Sequence, residues 1–232
     1  LSRPDPLYTQ MGFSQLRALS KRGICSPFDA AGDGLLTGEG AGIFVLKRTS
    51  DAVASGDRIY GIIRAVGLSN DVGGSLLAPM SEGQLRAMQA AYQRAGWQPQ
   101  DVDLIECHAT GTPVGDAVEV ASLKELWQGS ETRQSCVIGS VKSNIGHLLT
   151  AAGAAALTKV LLAMQHATLP PTANFRSPQP GMQLEQSPFK VLNQAEPWQR
   201  RGEDIPRRAA VSAFGFGGIN AHLLLEEYIP SV

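Results

Sequence analysis

Val141-Lys142-Ser143-Asn144-Ile145-Gly146-His147, followed by Leu148-Leu149-Thr150-Ala151-Ala152-Gly153-Ala154-Ala155-Ala156-Leu157-Thr158-Lys159-Val160-Leu161-Leu162, is the stretch whose reading decides the fold. Just before it, Cys136-Val137-Ile138-Gly139 is a short apolar run with β-branched members, which predicts a buried strand. The Ala- and Leu-rich run from about 150 to 166 predicts a helix, deeply buried because small residues allow close approach. Lys142, Ser143, Asn144 and His147 therefore fall where a strand ends and a helix begins, the place where open α/β sheets bind ligands. The same layout also accommodates a satisfied core histidine and a solvated lysine.

The 232 residues are 43% hydrophobic and 18% charged, with a net charge of −1. This is an ordinary globular composition with no basic excess for nucleic acid and no polybasic segment for a membrane. No apolar run suits a transmembrane helix, and the polar, Pro-rich start is not a signal peptide. Cys25, Cys107 and Cys136 are too few and scattered for a disulfide framework and suit a reducing cytoplasm.

Residues 8–19 predict a short helix. The Gly-rich residues 28–42 lead into Ile43-Phe44-Val45-Leu46, which predicts a strand. Phosphate-binding glycine loops need a helix at that point, so a nucleotide site is rejected. A helix is predicted over 51–55 and a strand over 59–67. Ser81-Glu82-Gly83-Gln84 fits a capping box opening a helix that Gly96 closes. A strand over 102–107 leads to His108 and a helix from about 116 to 127. The Pro-rich residues 169–181 read as an ordered surface connection. Strands over 209–214 and 222–226, joined by a Gly-rich turn, read as antiparallel; the preceding strand–helix units imply parallel pairing.

Three loops that each follow a strand carry unusual chemistry: 108–116, 142–147 and 214–220. Strands of one sheet bring them to one edge. Neutral His108 and His147 suit donation to a developing anion or acceptance of a proton. The glycines around Phe216 leave backbone N–H groups free for an oxyanion. No metal site is expected: Cys107 and His108 alternate in direction, and there is no ligand pair at helical or loop spacing.

These loops bear a resemblance. His108-Ala109-Thr110-Gly111-Thr112-Pro113-Val114-Gly115-Asp116, Lys142-Ser143-Asn144-Ile145-Gly146-His147 and Phe214-Gly215-Phe216-Gly217-Gly218-Ile219-Asn220-Ala221-His222 are similar to three motifs of β-ketoacyl synthases. Residues 28–42 resemble the same family's Phe-Asp-Ala…Gly-Glu-Gly-Ala-Gly passage, in the style of polyketide synthases and multidomain fatty acid synthases. Ala109 stands where the family usually has Gly, and Ile219 where it commonly has Thr.

The resemblance implies a thiolase-like α/β fold whose C-terminal half has a mixed, mainly parallel sheet between helices. It implies a homodimer, and decarboxylative Claisen condensation between an acyl-cysteine and malonyl on an acyl carrier protein. No cofactor is bound directly; phosphopantetheine arrives on the carrier. His108 and His147 would hold the malonyl thioester carbonyl and stabilise the enolate. Lys142 would support His147, with Glu119 as its partner. The Phe216 N–H would serve the oxyanion hole and its ring would gate the acyl pocket. Thr110, Thr112, Asn144 and Gly217 would contact substrate. The family's nucleophile motif, Thr-Ala-Cys-Ser-Ser, is absent. Residues 1–57 then read as the tail of an N-terminal half that carries the nucleophile, 58–227 as the C-terminal half, and 228–232 as the start of a linker. The alternative is a catalytically silent relative that binds acyl carrier protein.

Overall fold

The computed structural model describes residues 2, 6–73, 79–129 and 134–230. In chain order the elements are α1 (Pro6–Gln15), α2 (Thr49–Ala54), β1 (Ile62–Asn70), α3 (Ser81–Ala95), β2 (Leu104–Glu106), α4 (Pro113–Leu126), β3 (Cys136–Gly139), α5 (Lys142–Ile145), α6 (Ala152–Gln165), β4 (Thr168–Leu169), β5 (Phe189–Lys190), β6 (Glu196–Pro197), β7 (Arg208–Gly215) and β8 (Ile219–Glu226). Six strands form one sheet in the order β1-β8-β7-β2-β3-β5. β7, β2, β3 and β5 pair in parallel; β8 pairs antiparallel with β7 and with β1. Only β8 opposes the rest, so the sheet is mixed and mainly parallel.

Alternation along the strands fills two cores. Ile105, Ile138, Ala210 and Leu224 face Met88, Ala91 and Tyr92 of α3 and Val120 and Leu123 of α4. Their neighbours Leu104, Val137, Ala209 and Leu225 face Ala156, Val160, Ala163 and Met164 of α6 on the other side. Gly67 lets α3 lie against β1, since a Cβ there would run into the Ala87 carbonyl. Gly96, with φ of 67°, closes α3 as expected.

Four expectations need correction. Residues 43–46 form no strand; Ile43 is 93% and Val45 92% exposed, because no neighbouring strand among the described residues offers them a ladder. Ser81 is the first helical residue rather than the cap, so its capping box is not made, and its hydroxyl meets that of Ser122 at 2.9 Å. α4 begins at Pro113, three residues early, because proline is pre-shaped for a first helical position. α6 buries one face only. Its other face, with Ala154, Ala155, Thr158 and Leu162, lines an open apolar groove of about 970 Å³ with residues 39–42.

Candidate active site

β7, β2 and β3 are adjacent and parallel, so their carboxyl ends present the turn at Phe216, His108 and the Lys142–Ile145 helix on one edge, as the sequence predicts. The rings of His108 and His147 meet edge to face with centroids 5.3 Å apart. Phe214 packs on His108 at 6.0 Å. His147 Nδ1 accepts a hydrogen bond from the Leu149 N–H at 3.0 Å. A neutral imidazole that accepts at Nδ1 carries its proton on Nε2. Burial first, and Lys142 behind it, push His147 down to about 3 and His108 well below its ordinary range; His147 lowers His108 further. Both rings are therefore neutral near pH 7, and His147 carries its donor on Nε2.

The support beneath them is made of carboxylates. Glu119 gives one oxygen to the His108 N–H and the other to the Ala109 N–H, both at 2.8 Å. Asp116 takes the amides of Thr110 (2.9 Å), Phe28 (2.9 Å) and Gly111 (3.2 Å). Burial raises Asp116 to about 6 and Glu119 to about 7, against the pull of these amides. Lys142 is 2% exposed. The expected Lys142–Glu119 pairing takes a different form: Glu119 is occupied by backbone amides, and it acts on Lys142 through space, as does Glu106.

The Thr110 and Thr112 hydroxyls bond each other at 2.9 Å, with Thr110 the more buried. Asn144 is exposed on the rim of the α6 groove and meets the Ser143 hydroxyl at 3.2 Å. Phe216 and Gly217 occupy a turn closed by Gly218 N–H to Gly215 carbonyl at 3.2 Å, with Gly217 at φ of 83°. The Phe216 N–H has no acceptor among the described residues, and its ring, 54% exposed, lies 6.0 Å from that of Phe13. Among the described residues no group of three His, Cys, Asp or Glu is placed to hold a metal.

Residues 25–38 belong to the site to a degree the sequence did not show. Leu36 carbonyl receives the His147 N–H (2.7 Å) and Gly38 N–H returns to the His147 carbonyl (2.9 Å). Asp29 holds the amides of Arg176 and Ser177, and Asn174 bonds the carbonyls of Cys25 and Ser143. Asp116 closes one quoted motif and Asp29 is the second residue of another; an acidic residue at the edge of a Gly-rich loop is the signal the sequence offers.

The three cysteines are buried and free. Burial, with Asp116 behind it, pushes Cys25 up to about 12, and burial holds Cys107 and Cys136 well above the usual thiol range. None is an activated thiolate.

The description "Beta-ketoacyl synthase, C-terminal domain" matches residues 60–176, the ketoacyl-synthetase C-terminal extension residues 178–231, and the N-terminal domain of the same family residues 7–52. Polyketide synthase PksN of Bacillus subtilis is 43% identical over 234 residues, covering 95% of this chain and 4% of that protein. Polyketide synthase PksL of the same organism is 43% identical over 222 residues, covering 95% of this chain and 5% of that protein. The ketosynthase from module 6 of the bacillaene synthase of Bacillus subtilis superposes with a TM-score of 0.92 at 42% identity, over 96% of this chain and 40% of that one. The chain thus spans well under half of each of these relatives, with the thiolase-like architecture of the ketosynthase. With its motifs in order and its fold superposed, the chain belongs to the β-ketoacyl synthase family.

Proposed function

We propose that residues 1–232 supply the carbonyl-binding part of a polyketide synthase ketosynthase, which catalyses decarboxylative Claisen condensation. The observation that carries this is the pair of neutral histidine rings 5.3 Å apart, with the His147 proton placed on Nε2 by the Leu149 amide. In malonyl bound as a carrier thioester, the bond from the methylene carbon to the carboxylate breaks and CO₂ leaves. The electron pair passes into the thioester as an enolate, whose oxygen takes hydrogen bonds from His108 and His147. The enolate carbon attacks an acyl thioester, and the cysteine leaves as thiolate.

That cysteine comes from an N-terminal half outside this sequence, since Cys25, Cys107 and Cys136 are buried and protonated. The Phe216 N–H is a donor for the tetrahedral oxyanion, the Phe216 ring gates the acyl pocket, and Gly217 gives that turn its geometry. Thr110, Thr112 and Asn144 contact the phosphopantetheine arm. Lys142 and Glu119 keep the histidine loops in place. The functional unit is a cytoplasmic homodimer served by acyl carrier protein. Both histidines, Lys142 and the free Phe216 N–H are more than a silent carrier-binding scaffold requires. In a ketosynthase containing this segment, His108→Ala and His147→Ala should each abolish CO₂ release from radiolabelled malonyl carrier while leaving acyl loading intact; wild-type CO₂ release by either variant defeats the reading.

A further inference from the structure

Glu106 is the last residue of β2, two positions before His108, and its side chain is fully buried. A buried carboxylate must be paired, and this one is paired twice. Oε1 accepts the Val141 N–H at 2.5 Å, and Oε2 lies 2.7 Å from Nζ of Lys159, which is 12% exposed on α6. The Lys159 contact meets the distance of an ion pair without the alignment of a hydrogen bond, and the neighbouring Thr172 hydroxyl is also unpartnered among the described residues.

The placement matters more than the pair energy. Val141 immediately precedes Lys142, and α6 begins five residues after His147. One carboxylate thus grips the strand that leads to His108, the amide that opens the Lys142–His147 turn, and the helix that follows that turn. Asp116 and Glu119 organise the His108 loop from the α4 side, and the Ser140 hydroxyl donates to the Ala109 carbonyl at 2.6 Å; Glu106 adds the tie from β2 itself to the Val141 amide and on to α6. Burial lowers the Lys142 ammonium, and Glu106 is the foremost of the charges that oppose this.

The geometry points to Glu106 and Lys159 as positioning residues that set the spacing of His108 and His147, an inference that rests on the two-histidine reading above. Neither touches substrate. A misplacement of about 1 Å at a reacting group costs on the order of 10²-fold in rate.

The test uses the full-length ketosynthase carrying this segment, with Lys159→Met, Lys159→Arg and Glu106→Gln, and His147→Ala as control. Malonyl decarboxylation and acyl loading are measured separately, together with melting temperature. Lys159→Met and Glu106→Gln should lower kcat for decarboxylation about 10- to 100-fold, with KM for the malonyl carrier and the loading rate unchanged. Lys159→Arg should restore decarboxylation to within about 3-fold of the parent, a margin small beside that loss. If Glu106→Gln does not fold, Lys159→Met and its arginine rescue carry the test, because Lys159 reaches the surface. Decarboxylation at the parent rate in folded Lys159→Met, or equal loss of loading and decarboxylation, overturns the inference. Should His147→Ala itself decarboxylate normally, it is the two-histidine reading that fails.

Discussion

His147 offers a sharp perturbation because its two ring nitrogens have separate tasks. Nδ1 is committed to the Leu149 N–H, which leaves Nε2–H as the donor. Asparagine can place its carbonyl oxygen near Nδ1 and so keep the Leu149 bond, but it has nothing at Nε2. Glutamine can place its NH₂ near Nε2 and keep the donor. Removing one donor from a developing oxyanion costs about 2.7–4 kcal/mol, or roughly 10²–10³ in rate. His147→Asn should therefore lose that factor in CO₂ release from malonyl carrier, whereas His147→Gln should retain about a tenth or more of the parent rate by keeping the donor.

The same geometry fixes the pH dependence. With its pKa pushed down to about 3 by burial and Lys142, His147 is neutral across the assay range, so no inflection near its solution value should belong to it. Burial raises Asp116 to about 6 and Glu119 to about 7, so an inflection from either should survive in His147→Gln. An Asn variant as active as the Gln variant, or an NMR titration of the His147 ring near 6.5, refutes the reasoning.

Gly67→Ala forces a methyl onto the Ala87 carbonyl, a backbone atom that cannot step aside, so α3 must lift from β1. A loss of about 3 kcal/mol or more is expected, read as a melting temperature lower by roughly 6–12 °C. His222 is fully buried with Ser212 at 3.1 Å, and burial holds it at about 3. The unfolded chain takes up a proton near pH 6.5 that the folded chain refuses, so stability is full above that pH and lost as pH falls towards 3. His222→Leu should flatten that acid limb by about 3 kcal/mol at pH 4.5, measured by urea unfolding. Phe216→Ala should slow condensation or blur acyl selectivity across a series of acyl carriers without unfolding the protein, and unchanged rate and selectivity would remove the gate. Incubation with acyl carrier thioester should leave Cys25, Cys107 and Cys136 unmodified by intact-protein mass spectrometry; an adduct turned over by malonyl carrier would place a nucleophile inside this chain.

The sequence was most legible where local rules and tertiary environment agree. Cys136–Gly139 forms the expected strand because a short apolar run with two β-branched residues, Val137 and Ile138, suits a strand buried on both faces. Gly96 was right because a left-handed terminus demands glycine. The run at 43–46 failed because strand propensity is a property of a neighbour to pair with as much as of the residues. α6 failed in burial because Ala-rich composition signals close approach but does not say from how many sides. At the site, both histidines and the strand ends that carry them were visible in the motifs. The Glu119 contacts were not, since a carboxylate that serves backbone amides looks in sequence like one that serves a lysine.

The stitching of residues 25–38 to the second histidine loop bears on how such enzymes are recombined. The family descriptions leave a seam at residues 52–60, an inviting crossover for chimeras. A chimera joined there would inherit Leu36 and Gly38 from one parent and the His147 backbone they pair with from the other. It would likewise separate Phe28 from Asp116 and Asp29 from Arg176 and Ser177. Leu35 reaches back to Ala18 and Ser20 through its own amide and carbonyl. A junction ahead of residue 18 keeps all of these partners in one lineage, so hybrids built there should retain the histidine geometry that hybrids built at the seam disturb.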